Sequence, residues 1–172
     1  MTAQNPQQKP SNILIVDDSE VFRLMVWRDL VTKGFTELAP SVYGRDGARV
    51  YVVGNYASAM IFLERNSAQR IDFDAVFLDW HLSTEDRAAD HDVVQIAVAA
   101  LDDKNQPLKP TIYCISSEAQ EMKDKIQEIV EPLVVAVGGT LASLQERIVL
   151  VEYMAIAAKI LEVAGWDGSS KS

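Results

Sequence analysis

The sequence predicts an α/β fold: a doubly wound, five-stranded parallel sheet with helices on both faces and a long C-terminal helix. Three observations predict it. First, short unbroken apolar runs such as Ile13-Leu14-Ile15-Val16 and Ala75-Val76-Phe77-Leu78 recur along the 172 residues. Apolar runs of this length, bounded by polar residues, read as strands buried on both faces, which is the pattern of parallel sheets. Second, the runs alternate with stretches whose apolar residues fall at helical spacing, and repeated βα units build a parallel sheet covered on two sides. Third, three of the runs end in polar groups, Asp17-Asp18, Asp79 and Ser116-Ser117. The carboxyl ends of strands are where open α/β sheets hold their sites.

The elements follow from local signals. After the first strand, 13–16, Ser19 is placed to cap a helix over 20–32, in which Val21, Leu24, Met25, Arg28 and Val31 fall at helical spacing before Gly34. Residues 36–48, with Pro40, Gly44 and Gly47, are poorly patterned and read as a long loop. A strand over 49–53 closes at Gly54, a short helix covers 57–66, and the strand over 74–78 leads into Asp79. A polar loop, a helix over 91–101 and a further loop precede the strand 111–115. A charged helix over 119–130 should end at Pro132, and the aliphatic run 133–137 reads as the fifth strand, broken by Gly138-Gly139.

Residues 143–164 then read as one helix, roughly 33 Å long at 1.5 Å per residue. Its Val149-Leu150-Val151 and Met154-Ala155-Ile156-Ala157-Ala158 segments make it apolar nearly all round. Such a helix is buried on more than one side. Since the sheet covers only one, a homodimer through this helix is expected. Residues 1–11 and 167–172 read as tails around one domain, 12–166.

Composition narrows the function classes. An apolar content of 48% is too high for wholesale disorder, and a formal charge of −9 with no basic patch argues against a nucleic-acid binder. One cysteine, Cys114, forms no intramolecular disulfide and no cysteine-rich zinc site; mid-strand between apolar neighbours, it reads as a core residue. No run approaches the 18 or so apolar residues of a membrane span, and residues 1–12 lack the apolar segment of a secretory signal, so a cytoplasmic protein is expected.

The chemistry sits at the strand ends. In a parallel sheet the ends of the strands carrying Asp17, Asp18, Asp79 and Ser116 lie on one edge. Clustered carboxylates raise one another's pKa unless a cation compensates, and oxygen ligands of this kind suit Mg²⁺ together with a phosphate. One carboxylate to attack, one metal to neutralise the phosphoryl group and one hydroxyl to hydrogen-bond it make a phosphoryl-transfer site.

In these features the chain resembles the response-regulator receiver domains (CheY-like) of two-component signalling. Residues 13–19 match that family's first strand and acidic pair, Val76 to Trp80 its phospho-acceptor strand, and Ile115-Ser116-Ser117-Glu118 its fourth strand and switch hydroxyl. The resemblance implies a flavodoxin-like (βα)5 fold with strand order 2-1-3-4-5. It implies that Asp79 accepts a phosphoryl group from a histidine kinase or phosphotransfer protein. It further implies that Asp17, Asp18, Asp79 and the backbone carbonyl of His81 hold Mg²⁺, that Ser116 hydrogen-bonds the acyl phosphate, and that a downstream protein reads the result. With only eight residues beyond Ala164, the signal is expected to leave through protein contact.

Departures from the family pattern leave a second reading open. The lysine expected after the fifth strand is absent from Val135-Ala136-Val137-Gly138-Gly139-Thr140, and the aliphatic run before it lacks the family's switch aromatic. A phosphorylation-independent pseudo-receiver, serving as a binding and dimerisation module, is the alternative. Neither reading is an enzyme. A dehalogenase-type phosphatase would want Asp-x-Asp after the first strand and a later lysine. Asp79-Trp80-His81 also mimics the Asp-x-His of cobalamin-binding domains, but there the histidine follows the first strand.

Overall fold

The computed structural model describes residues 11–79, 82, 89–101, 110–115, 119–136, 138–152 and 155–165. The elements are β1 (Asn12–Val16), α1 (Glu20–Thr32), β2 (Thr36–Ala39), β3 (Val42–Arg45), β4 (Ala48–Val53), α2 (Tyr56–Leu63) and β5 (Ala75–Leu78). They continue with α3 (Ala89–Leu101), β6 (Thr111–Cys114), α4 (Ala119–Ala136), α5 (Leu141–Arg147), β7 (Ile148–Leu150) and α6 (Ile156–Val163). All seven strands form one sheet in the order β2-β3-β4-β1-β5-β6-β7. Its five parallel strands, β4-β1-β5-β6-β7, keep the expected 2-1-3-4-5 order.

The central strands are buried on both faces, and their alternation sorts the core into two layers. Leu14, Val16, Val76, Leu78 and Ile112 pack against α2, α3, α4 and α5. Ile13, Ile15, Val50, Val52 and Phe77 pack against α1 and α6. Phe77 also stacks on Tyr113 of the neighbouring strand, ring centres 4.6 Å apart.

The caps are where the residues demand them. Ser19 Oγ accepts from the Phe22 amide, and Asn55 Oδ1 from that of Ser58. At the end of α1 the Gly34 amide donates to Val31 and the Phe35 amide to Leu30, a Schellman closure with Gly34 at φ 83°. Buried Phe35 and Leu30 complete it.

Four expectations are corrected. Residues 36–48 are no loop. β2 and β3 form an antiparallel hairpin, and β3 joins β4 through the two-residue turn Asp46-Gly47, with φ of 50° and 86°. Two consecutive left-handed residues make the type I′ turn that Asp-Gly favours, so the hairpin extends the sheet by two strands.

Within the run read as a strand over 133–137, residues 133–136 are helical, because α4 continues through Pro132 to Ala136, and Val137 lies outside the described residues. Met122, Ile126, Val130 and Val134, spaced by four, face the core and hold the helix together past a proline that removes one amide donor. The Gly138 and Gly139 amides then donate to Val135 and Val134, closing the helix as Gly34 closes α1.

The fifth parallel strand is β7, paired to β6 by Ile112↔Ile148 and Cys114↔Leu150. Consequently 143–164 is not one helix but α5, β7 and α6, with a Thr140–Ser143 capping box opening α5. Of the two apolar segments that suggested an all-round apolar helix, Val149-Leu150-Val151 runs through this strand and Ile156-Ala157-Ala158 opens the short α6, so dimerisation through one long C-terminal helix loses its basis. The residues after the true fifth strand are Val151-Glu152-Tyr153-Met154, which are not basic either. Of the expected tails, 1–11 and 167–172, residues 1–10 and 167–172 lie outside the described residues, while the Ser11 carbonyl accepts from the Arg49 amide at 2.8 Å.

Candidate phosphoryl-transfer and metal site

The parallel register builds the site. Val16, Leu78 and Cys114 align with one another, and Val16 aligns with Val53 on its other side. The ladder runs one residue further. The Asp17 amide donates to the Val53 carbonyl at 3.1 Å, Asp79 to Val16 at 3.0 Å, Ile115 to Leu78 at 3.1 Å and Val151 to Cys114 at 3.1 Å. Asp17 and Asp79 therefore leave adjacent strands side by side on one rim of the sheet. One ligand atom each from Asp17, Asp18 and Asp79 lie within 4.8 Å of one another. Mg²⁺ holds oxygens at about 2.1 Å, so oxygens opposite each other on the ion are about 4 Å apart. Three carboxylates at this spacing fit one divalent ion with little movement.

Asp17 is fully buried, whereas Asp18 and Asp79 are half-buried. Asp17 Oδ1 accepts from the Ser19 amide at 2.8 Å, which ties the acidic turn to the cap of α1. Burial pushes the Asp17 carboxyl up to about 7; the Asp79 and Asp18 charges push the same way, while the Ser19 amide and the Arg23 charge oppose them. A bound cation would reverse the balance by favouring the ionised form.

Arg23 went unnoticed in the sequence. Its Nη1 donates to the Asp17 carbonyl at 2.7 Å, holding a guanidinium beside the acids. Gly54, at the end of β4, leaves room for it, since a Cβ there would stand 2.8 Å from Arg23 Nη1. Arg23 lies one turn into a capped helix, but its approach to β4 depends on packing that spacing does not reveal. Ser116 and His81 lie outside the described residues, although Ile115, which precedes Ser116, ends its ladder on this rim. Cys114 is buried and its thiol is pushed up to about 12 by burial, so it belongs to the core as expected.

Comparison of the sequence with models of protein families and with curated proteins finds no match. Among solved structures, the chain is similar to the Mn²⁺-bound form of response regulator Rcp1, at 14% identity and a TM-score of 0.50, over 95% of this chain and 98% of that one. A response regulator receiver protein from Sinorhizobium medicae aligns at 17% identity and a TM-score of 0.46, over 90% of this chain and 91% of that one. The RcsB response regulator of Salmonella typhimurium aligns at 8% identity and a TM-score of 0.48 over 90% of this chain, which spans 58% of that protein's length. With the strand order, the Rcp1 likeness settles the architecture: the chain has the fold of a response-regulator receiver domain.

Proposed function

We propose that this protein is a response regulator whose Asp79 accepts a phosphoryl group while Asp17, Asp18 and Asp79 hold a divalent ion, Mg²⁺ in the cell. The observation behind this reading is the convergence of the three carboxylates from two adjacent strand ends, with ligand atoms within 4.8 Å. In the proposed reaction an Asp79 carboxylate oxygen attacks the phosphorus of a phosphohistidine on a histidine kinase or phosphotransfer protein. The P–N bond breaks, the imidazole leaves with its electron pair and takes up a proton, and an acyl phosphate forms on Asp79. The ion, when bound, neutralises charge on the transferred group. Asp17 and Asp18 would hold it beside Asp79, and the resemblance to receiver domains gives Ser116 as the hydrogen-bond donor to the acyl phosphate and the His81 carbonyl as a further ligand. The chain is then a switch read by a downstream protein, not an enzyme with a separate substrate. The metal-bound state of Rcp1 supports the choice of a divalent ion.

One observation favours a second reading. The segment after β7, Val151-Glu152-Tyr153-Met154, carries an acid and no base, so it brings no cation to a phosphoryl group. A charge-assisted contact of that kind is worth about 1.5–3 kcal/mol. On this reading the chain is a phosphorylation-independent binding module. Incubation with Mg²⁺ and acetyl phosphate, followed by intact mass measurement, separates the two. The first reading expects one phosphoryl adduct, lost in Asp79→Asn and lost on chelation. An unmodified mass under all conditions favours the second.

A further inference from the structure

Asp17 is tied to its surroundings through amide, carboxylate and carbonyl. The amide donates to the Val53 carbonyl of β4 at 3.1 Å, and Oδ1 accepts from the Ser19 amide at the cap of α1 at 2.8 Å. The carbonyl accepts from Arg23 Nη1 at 2.7 Å. That carbonyl belongs to the peptide joining Asp17 to Asp18. A peptide unit is planar, so its tilt sets the directions in which the residues on either side project from the chain. Two of the three converging acids therefore take their aim from one carbonyl, and Arg23 holds it.

Arg23 is itself seated. Its amide donates to the Ser19 carbonyl at 3.0 Å, so its backbone belongs to the capped first turn of α1. Its guanidinium lies against Gly54, just past β4, where an added Cβ would stand 2.8 Å from Nη1 and 3.1 Å from Cζ. Gly54 does not adopt the left-handed φ that favours glycine, so what the glycine supplies there is space.

We infer that Arg23 is a positioning residue of the metal site: seated in the space that Gly54 leaves, it fixes the Asp17–Asp18 peptide so that both carboxylates meet that of Asp79. The inference rests on the reading of the three acids as a divalent-ion site. Ligand atoms within 4.8 Å of one another bring like charges together, and their repulsion opens the cluster unless its backbone is held. A site already in its bound geometry binds more tightly, because less is left to order when the ion arrives. Groups that orient the ligands of a metal commonly set its affinity by about 10–100-fold.

Removing Arg23 outright mixes two effects of opposite sign, since a guanidinium near the acids also repels a cation. Gly54→Ala separates them: its methyl group displaces the flexible end of the Arg23 side chain and changes no charge. The test is calorimetric titration of Mn²⁺ at pH 8 into the folded wild-type chain, Gly54→Ala, Arg23→Gln and the double variant. Gly54→Ala should lower the affinity about tenfold when Arg23 is present and leave it unchanged in the Arg23→Gln background. Its melting temperature in EDTA should stay close to that of the wild type. Arg23→Lys keeps the charge, but its ammonium ends one bond short of Nη1, so it should lose affinity as Gly54→Ala does. Wild-type affinity in Gly54→Ala overturns the inference, as does an equal loss with and without Arg23. A purely structural contact would lower the melting temperature and leave the ion affinity of the folded chain untouched, which also overturns it. If Gly54→Ala does not fold, wild-type affinity in Arg23→Lys overturns the inference by itself. A wild-type chain that binds no ion overturns the metal site and the positioning role together, whereas normal binding that ignores Gly54→Ala overturns the positioning role alone.

Discussion

Asp17 is the residue on which the site's electrostatics turn. Its carboxyl is buried beside two other acids, and its pKa of about 7 lies above the usual carboxylate value near 3.9. The folded chain therefore binds more protons than the unfolded chain between about pH 4 and pH 7, and stability falls as pH rises through that window. Without metal, the melting temperature should drop from pH 5 to pH 8. Asp17→Asn should flatten this dependence, and Mg²⁺ should restore stability most at the high-pH end, where the acids are ionised. A melting profile in EDTA that rises toward pH 8 would contradict this assignment. Cys114 behaves in the opposite way, as an inert group. Buried, with a thiol pushed up to about 12, it should resist alkylation in the native protein and react only after unfolding in urea.

The elements owe their ends to a few backbone positions. Gly138 has φ 83° and nothing within 4 Å of the place its Cβ would take, so Gly138→Ala isolates backbone strain and should cost about 1–2 kcal/mol in chemical denaturation. At Gly139 a Cβ would run into Val134 Cγ1, so Gly139→Ala must instead displace a core side chain. At this level the sequence is only partly transparent. Bare apolar runs that end in acids identify β1 and β5, because burial on both faces leaves no polar positions within the strand. Ile148-Val149-Leu150-Val151 is just such a run, yet its flanks continue a helical pattern, and a short apolar run cannot be told from a buried helix segment by periodicity alone. The run 133–136 fails the other way: aliphatic and strand-like locally, it is held in α4 by Val130 and Val134 against the core. The hairpin did carry a signal, Asp46-Gly47, which marks a two-residue turn more strongly than Pro40 and Gly44 mark a loop.

Across the whole molecule, the sheet register converts separate strand ends into one site. Asp17, Asp18 and Asp79 stand out in the sequence because each follows an apolar strand, and a parallel sheet gives those ends a common rim. Arg23 and Gly54 do not stand out, because their contact exists only once α1 has packed across β1 and β4. No helix among the described residues is long and apolar enough to cross a membrane. Among the described residues, α1 leaves Val21, Leu24, Trp27 and Val31 exposed, and the rim carries the carboxylate cluster. The most direct measurement of the latter is calorimetric titration of Mg²⁺ or Mn²⁺ into the wild-type chain and into Asp17→Asn, Asp18→Asn and Asp79→Asn at pH 8. One ion per chain, with affinity lowered roughly tenfold or more by each substitution, is the expected result. No binding, or binding untouched by all three substitutions, would contradict the shared site.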